Sequence, residues 1–149
     1  MKHRWLIFVL VAGLRSALAC EGVVVTQAWL REPPPGAAMA AAYFILTNRG
    51  SIEVTVTGIS SVDFEHVSLH ETHYVNGRAS MRPIGELVVP PASEYRAEPG
   101  GAHVMLGGSY VALNEGATVR LDLICNPGPA LEFVVPVRRH APAISTNGD

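Results

Sequence analysis

After its first fifteen residues the chain contains no lysine, because Lys2 is the only lysine among its 149 residues. The basic residues that remain are eight arginines, which stand against 13 acidic residues and give this part of the chain a net charge of −5. A mildly acidic chain without a basic stripe is poorly suited to nucleic acid or to an anionic membrane surface. We therefore expect neither kind of partner.

The sequence also lacks the motifs on which common catalytic sites are built. It contains no nucleophile elbow, phosphate loop, zinc signature or serine triad pattern. Glu71 and Asp122 could each act as a base, but neither has an identifiable partner. We expect that the protein is not an enzyme.

Long apolar runs are absent too, and the run at the N-terminus covers only residues 6–14. It follows a short basic segment and precedes Ala17-Leu18-Ala19, a small-x-small cleavage pattern. A helix needs about twenty residues to cross a bilayer. The sequence therefore predicts a signal peptide over residues 1–19, in preference to a buried N-terminal helix, and export to the periplasm without a membrane span.

Cysteine is scarce, with Cys20 and Cys125 as its two occurrences. Cys125 shares a predicted strand face with Leu121 and Leu123 and should point inward. In an oxidising compartment the two cysteines are expected to form a disulfide. Two alternatives stay open. Cys20 could carry a lipoprotein anchor, which is disfavoured because Leu18 stands at position −2 and not at −3, or both thiols could be free.

The remaining sequence consists of short segments rich in β-branched and aromatic residues, separated by glycine and proline. Such segments predict strands at residues 22–30, 37–48, 52–59, 64–75, 103–106, 118–125 and 131–137. The stretch after Pro83 is predicted to be loop-like, with short apolar pieces at residues 87–89 and 95–97. This pattern predicts one all-β domain, a Greek-key sandwich or barrel over residues 20–138, and a disordered tail over residues 139–149.

Imidazole and thioether side chains recur at fixed spacing in the middle of the chain. The order is His70, ten residues, Met81, twenty-one residues, His103, one residue, Met105. The remaining internal methionine, Met39, lies in an alanine-rich apolar run and is not counted as a ligand. Methionine within this pattern is interpreted as a ligand type.

The strand pattern brings these side chains together in two local pairs. Asn76-Gly77 predicts a two-residue hairpin turn in which Thr72 pairs with Met81, so that Met81 is the diagonal neighbour of His70. Alternation along residues 64–75 places Phe64, His66, Ser68, His70 and Thr72 on one face. Alternation likewise places His103 and Met105 on one face of their strand.

Two thioethers exclude magnesium and calcium, disfavour zinc and favour Cu(I). We expect one Cu(I) per chain. His66 is a candidate for a weak extra ligand because it shares the face of His70, whereas His73 should point the other way. A blue-copper electron-transfer site is not predicted, because Cys125 lacks the histidine and methionine that should follow it.

The spacing of these four histidine and methionine residues matches the copper-binding motif of the bacterial periplasmic CuA copper chaperone family, PCu(A)C. The flanking sequence resembles that family from residue 21 to residue 138, and the matching segments include Trp29-Leu30-Arg31, Pro34-Pro35-Gly36, Leu69-His70-Glu71-Thr72, Met81-Arg82-Pro83, His103-Val104-Met105-Leu106 and Leu113-Asn114-Glu115-Gly116. The chain departs from some relatives because it lacks a C-terminal tail rich in histidine and methionine.

The resemblance implies a cupredoxin-like β-barrel that holds Cu(I) through His70, Met81, His103 and Met105. It also implies delivery of copper to the CuA centre of cytochrome c oxidase subunit II, together with a Sco-type thiol protein. We expect a monomer. Two other functions stay open: periplasmic copper buffering or resistance without a dedicated oxidase client, and a metal-free β-sandwich that binds a protein partner.

Overall fold

The computed structural model describes residue 20, residues 22–126 and residues 128–143. This part of the chain contains ten β-strands and no helix, which confirms the all-β prediction. The strands are β1 (Val23–Arg31), β2 (Met39–Asn48), β3 (Val54–Ser60), β4 (Phe64–Val75), β5 (Arg78–Pro83), β6 (Leu87–Val89), β7 (Ser93–Ala97), β8 (Ala102–Ser109), β9 (Thr118–Asn126) and β10 (Leu131–Arg138). The predicted signal peptide lies outside the described residues.

The prediction of a loop-like stretch after Pro83 was wrong for two segments, which form β6 and β7. Strand β6 pairs with β3, and β7 pairs with β2 over five residue pairs. Leu87, Val89 and Ala97 are buried. These short apolar pieces therefore face the core, and their strand partners lie far away in the sequence.

The strands follow the order β5-β4-β8-β7-β2-β1-β10-β9-β3-β6, and β8 also pairs directly with β2. A parallel pairing of β1 with β10, Leu30 opposite Val137, joins the two halves of this sheet. Many neighbours are distant in sequence, such as β4 with β8 and β3 with β9, as a Greek-key arrangement requires. The sheet folds over so that both halves contribute to one core.

The core combines fully buried side chains from both halves, including Phe44, Leu46, Val104, Leu106, Leu121, Leu123 and Val135. Burial of one such side chain stabilises the fold by about 1.5–3 kcal/mol. Phe64 also belongs to this core, which contradicts its predicted place on the histidine face. It begins β4 opposite Ser109, next to Gly108, where a positive φ of 62° interrupts the regular geometry of β8.

Cys20 and Cys125 form a disulfide, with their Cα atoms 5.4 Å apart, which confirms the predicted pairing. Cys20 is fully buried in the core, and Cys125 lies on the inner face of β9 beside Leu123. The bond ties the segment before β1 to a late strand, 105 residues away. A sulfur in this bond is not available for a lipid thioether.

Residues 139–143 of the predicted tail are described, and residues 144–149 lie outside the described part. The Arg139 Nε atom donates a hydrogen bond of 2.6 Å to Glu32 Oε2, and it lies 3.2 Å from Glu115 Oε2. Within the described ranges, no helix is long and apolar enough to cross a membrane.

Candidate metal centre

The β4–β5 hairpin has the predicted register. Val75 pairs with Arg78, and Thr72 pairs with Met81. Asn76 and Gly77 join the strands with φ angles of 51° and 74°, and two consecutive positive angles are typical of the tight turn that an Asn-Gly pair favours. This turn places the methionine of β5 beside the last part of β4.

Strand β8 lies between β4 and β2, and it brings the second predicted pair next to the first. His103 is directly opposite His70 across the β8–β4 pairing, and their ring centroids are 6.2 Å apart with an interplanar angle of 22°. Met105 is opposite Ser68 on β4 and Ala41 on β2. The small side chains of those two neighbours leave the Met105 thioether open to the sheet surface.

Met81, His103 and Met105 line one surface recess of about 280 Å³. The remaining lining residues come from β1, β2 and the segment between them, and they are Arg31, Glu32, Pro33, Pro34, Met39, Ala40, Ala41 and Tyr43. His70 is not among the lining residues, and it adjoins the recess through its stacked neighbour His103. The structure thus brings all four predicted residues into one area of the sheet.

His103 is the most constrained of the four, with 5% of its surface exposed. Its Nδ1 atom lies 3.1 Å from the carbonyl oxygen of Gly101. A carbonyl only accepts, so in the neutral ring Nδ1 is the nitrogen that carries the proton and Nε2 is the one with the lone pair. That Nε2 atom is buried and has no hydrogen-bond partner in the described part of the chain. A buried nitrogen with a free lone pair and a fixed tautomer has the properties of a metal donor.

The other three side chains are less enclosed. The His70 Nδ1 atom is 3.3 Å from the Ser68 hydroxyl oxygen. Met105 is half-buried, and Met81 is 56% exposed on a strand whose six residues all face solvent. The donor atoms therefore range from fully enclosed to solvent-exposed.

The charged groups at the edge of the recess nearly balance. Arg31 and Glu32 both line it. The hydrogen bond from Arg139 holds the pKa of the Glu32 carboxyl below its usual range. Burial raises the pKa of Tyr43, and the charge of Arg31 opposes that shift only in part, so this hydroxyl stays neutral near pH 7. A monovalent cation would meet little net charge here.

His66 and His73 are not among the residues that line the recess. His66 is exposed on β4, and its Nε2 is 3.5 Å from Glu65 Oε1. His73 has its Nε2 3.0 Å from Glu71 Oε2. Among the described residues, no three His, Cys, Asp or Glu side chains are grouped so that they could hold a metal ion. A metal at this recess would depend on thioether donors.

Met39 also lines the recess, although the sequence pattern did not indicate it as a site residue. It belongs to β2, where it pairs with Gly107 of β8, and it is 44% exposed. No local motif indicates this position, because it depends on the pairing of two strands that are more than sixty residues apart. The alternation of Met39, Ala41 and Tyr43 along β2 was the available indication.

The fold and the recess define an all-β, cupredoxin-like domain with soft donors on one sheet face. The chain belongs to the LpqE-like family, described as "Putative lipoprotein LpqE-like", whose pattern it matches over residues 23–137. It is similar to "Putative lipoprotein Lxx21020" of Leifsonia xyli subsp. xyli, with 32% identity over 119 residues that cover 79% of this chain and 70% of the relative.

Solved structures, among them a PCuAC domain, have the same fold. The copper-bound PCuAC domain of PmoF2 is 21% identical, has a TM-score of 0.65 and covers 81% of this chain and 96% of its own. Apo DR1885 from Deinococcus radiodurans is 25% identical with a TM-score of 0.64 and covers 94% of each chain. Its Cu(I)-bound form is 26% identical with a TM-score of 0.62 and covers 86% of this chain and 83% of its own. The resemblance to the PCuAC family and the cupredoxin-like fold are thus confirmed.

Proposed function

We propose that this protein is a copper carrier that binds one Cu(I) through His70, Met81, His103 and Met105. The observation that carries the proposal is the Nε2 atom of His103, which is buried and has no hydrogen-bond partner among the described residues. His103 lines the same recess as the thioethers of Met81 and Met105. The similarity to PmoF2 and DR1885 domains that have been solved with copper supports the choice of metal.

The donor chemistry favours the monovalent state. Thioethers are soft, neutral donors that bind hard cations poorly, and imidazole accepts either copper state. Four neutral ligands leave the complex with the single positive charge of Cu(I), which costs little to hold beside an apolar sheet face. No thiolate has to be protonated for release. These properties suit a carrier that is not an enzyme.

Anaerobic titration with Cu(I) tests the site. The protein should bind one equivalent of Cu(I) most tightly. X-ray absorption of this bound ion should show both sulfur and nitrogen neighbours. Replacing Met81 and Met105 together by leucine should abolish that equivalent, because it removes both sulfur donors and keeps the side-chain volume. Met39→Leu is the matched control and should keep it. Full retention of tight binding by the double variant would refute the ligand assignment.

We further propose that the cargo goes to the CuA centre of cytochrome c oxidase subunit II, with a Sco-type thiol protein as collaborator. The exposure of Met81 supports transfer, because an acceptor could reach copper from that side. The loaded protein should lose copper to an apo CuA domain, added with or without the Sco-type protein. Retention of copper against both would favour the alternative function, copper buffering or resistance.

We also propose that the protein is exported to the periplasm and that Cys20 stays in its disulfide. The cleavage pattern before residue 20 and the lipoprotein descriptions of its family and relative support export. The bond to Cys125 supports a Cys20 without lipid. Peptide mapping of the cellular protein without reductant should recover the Cys20 peptide linked to that of Cys125. A Cys20 peptide bearing diacylglycerol would establish the anchored alternative.

A further inference from the structure

One row of residues next to the recess crosses three strands. Met39 of β2 pairs with Gly107 of β8, and Gly107 pairs with His66 of β4. Directly opposed residues of neighbouring strands project from the same face of a sheet. Since alternate residues also share a face, this is the face of β8 that carries Met105 and His103. The row therefore adds a thioether and an imidazole beside the four proposed ligands.

The missing side chain of Gly107 creates a notch between these two groups. A Cβ atom at Gly107 would lie 2.8 Å from the Met39 Sδ atom and 3.7 Å from the His66 Cβ atom. The thioether is thus folded over the glycine toward the histidine. The His66 side chain is exposed, so its ring can rotate about its own bonds toward the sulfur.

Exposure and charge at this position suit a transient ligand. The His66 side chain is 75% exposed, and Met39 is 44% exposed. The Glu65 carboxylate accompanies them, with Oε1 3.5 Å from His66 Nε2. A thioether, an imidazole and a neighbouring carboxylate would hold a monovalent soft cation with no net charge.

Met39 also belongs to the lining of the recess that contains Met81, His103 and Met105. Gly107 and Met105 are two residues apart on one strand, which corresponds to about 7 Å along the sheet. The two positions are therefore neighbours on a continuous surface, and a cation would need only one short step between them.

We propose that Met39 and His66 form a second, weaker Cu(I) position with Glu65 as its charge partner. This position is open to solvent and adjoins the recess. An ion can therefore bind here before it enters the tighter position, and it can pass through here when it leaves. It goes beyond the proposed function, because none of His70, Met81, His103 and Met105 takes part in it.

Nuclear magnetic resonance of the wild-type protein tests the position directly. Silver(I) serves as a redox-inert probe of soft monovalent binding, with labelled methionine methyl groups and histidine rings as reporters. The first equivalent should shift the methyl signals of Met81 and Met105. A second equivalent, bound at least about tenfold more weakly, should shift Met39 and His66. If Met39 and His66 keep their shifts through two equivalents, the proposal is overturned.

Variants separate the two positions. The double variant Met39→Leu with His66→Asn should keep the first equivalent and lose the second. The control is His73→Asn, which alters a partly exposed histidine paired with Glu71 and should keep both equivalents. A double variant that binds two equivalents as tightly as the wild type would contradict the proposal.

Gly107→Ala tests the notch without removing a donor. The new Cβ would lie 2.8 Å from the flexible Met39 sulfur and would displace it, while no backbone atom stands in its way. The second equivalent should bind about tenfold more weakly, and unchanged affinity would show that the notch plays no part and overturn the geometry proposed here.

The variant with Met81 and Met105 replaced by leucine distinguishes failure of this proposal from failure of the proposed function. The weaker equivalent should persist there with Met39 and His66 still shifting. If the tight equivalent also persists, the ligand assignment of the recess is wrong while the second position stands. If both equivalents are lost, the second position depends on the recess ligands and this proposal is overturned.

Discussion

The two halves of the candidate site are built in different ways. His103 and Met105 lie on β8, which has β4 on one side and β2 on the other. Met81 lies on β5, an edge strand on which every residue is exposed. His103 is 5% exposed and Met81 is 56% exposed. The central half is therefore held by the core, and the edge half is held mainly by a hairpin.

This difference bears on how a carrier can bind tightly and still release its cargo. His103 on β8 is buried and its Nδ1 lies 3.1 Å from the Gly101 carbonyl oxygen, so little ordering of this side chain would oppose the binding of a metal ion. An exposed thioether at an edge can be replaced by a donor of an incoming partner without disturbing the core. The comparison predicts that the central ligands determine affinity and that the edge ligands determine release.

Removal of the disulfide tests whether the difference between the central and edge strands affects only the candidate site or the stability of the whole fold. Of the changes considered, it should have the largest effect on the free energy of unfolding. Replacing Cys20 and Cys125 by serine should lower the free energy of unfolding by about 2–5 kcal/mol, because the bond closes a loop of more than a hundred residues. Denaturant titration of the copper-free protein measures this change. Copper affinity below the unfolding transition should stay the same, and a parallel loss of affinity would mean that the site depends on the far side of the sheet.

The histidine pair gives the next largest effect. His103→Leu should weaken Cu(I) binding by more than about 100-fold, because loss of a ligand exceeds the 10–100-fold cost of losing only its supporting contacts. The same change at His70, its direct neighbour on β4, should cost less, about tenfold. Competition with a Cu(I) chelator measures both affinities. Equal losses at the two positions would show that the greater burial of His103 does not raise its contribution to affinity.

The release rates of Cu(I) from variants of Met81 and Met105 compare the edge strand with the central strand. Met81→Leu should weaken binding by about tenfold, and the change should lie mostly in faster release, since dissociation rates account for most affinity differences between related sites. Met105→Leu should cost more, because that thioether is half-buried between two strands. Stopped-flow transfer to a chelator reports the release rates. Identical release rates from both variants would contradict the idea that copper leaves from the side of Met81.

The sequence predicted the parts of this site that depend on local order. Asn76-Gly77 specified the hairpin register, and alternation placed His103 and Met105 on one face, as the structure confirms. Long-range pairing was not predictable in the same way. The strand partners of β6 and β7, the burial of Phe64 and the place of Met39 depend on strands that meet only after folding.

The turn of the edge hairpin offers a test with the smallest expected effect. Gly77 has a φ of 74°, and a Cβ there would meet no atom within 4 Å, so a substitution would change the backbone preference and nothing else. Gly77→Val imposes roughly 1–2 kcal/mol of left-handed strain on the hairpin.

Part of that strain should appear as a loss of Cu(I) affinity of about three- to fivefold, because Met81 is carried by this turn. Gly77→Asn is the matched control, since asparagine tolerates positive φ and should bind nearly as the wild type does. If valine and asparagine at this position give the same affinity, the hairpin does not position Met81, and the edge half of the site must be held by its pairing with β4 alone.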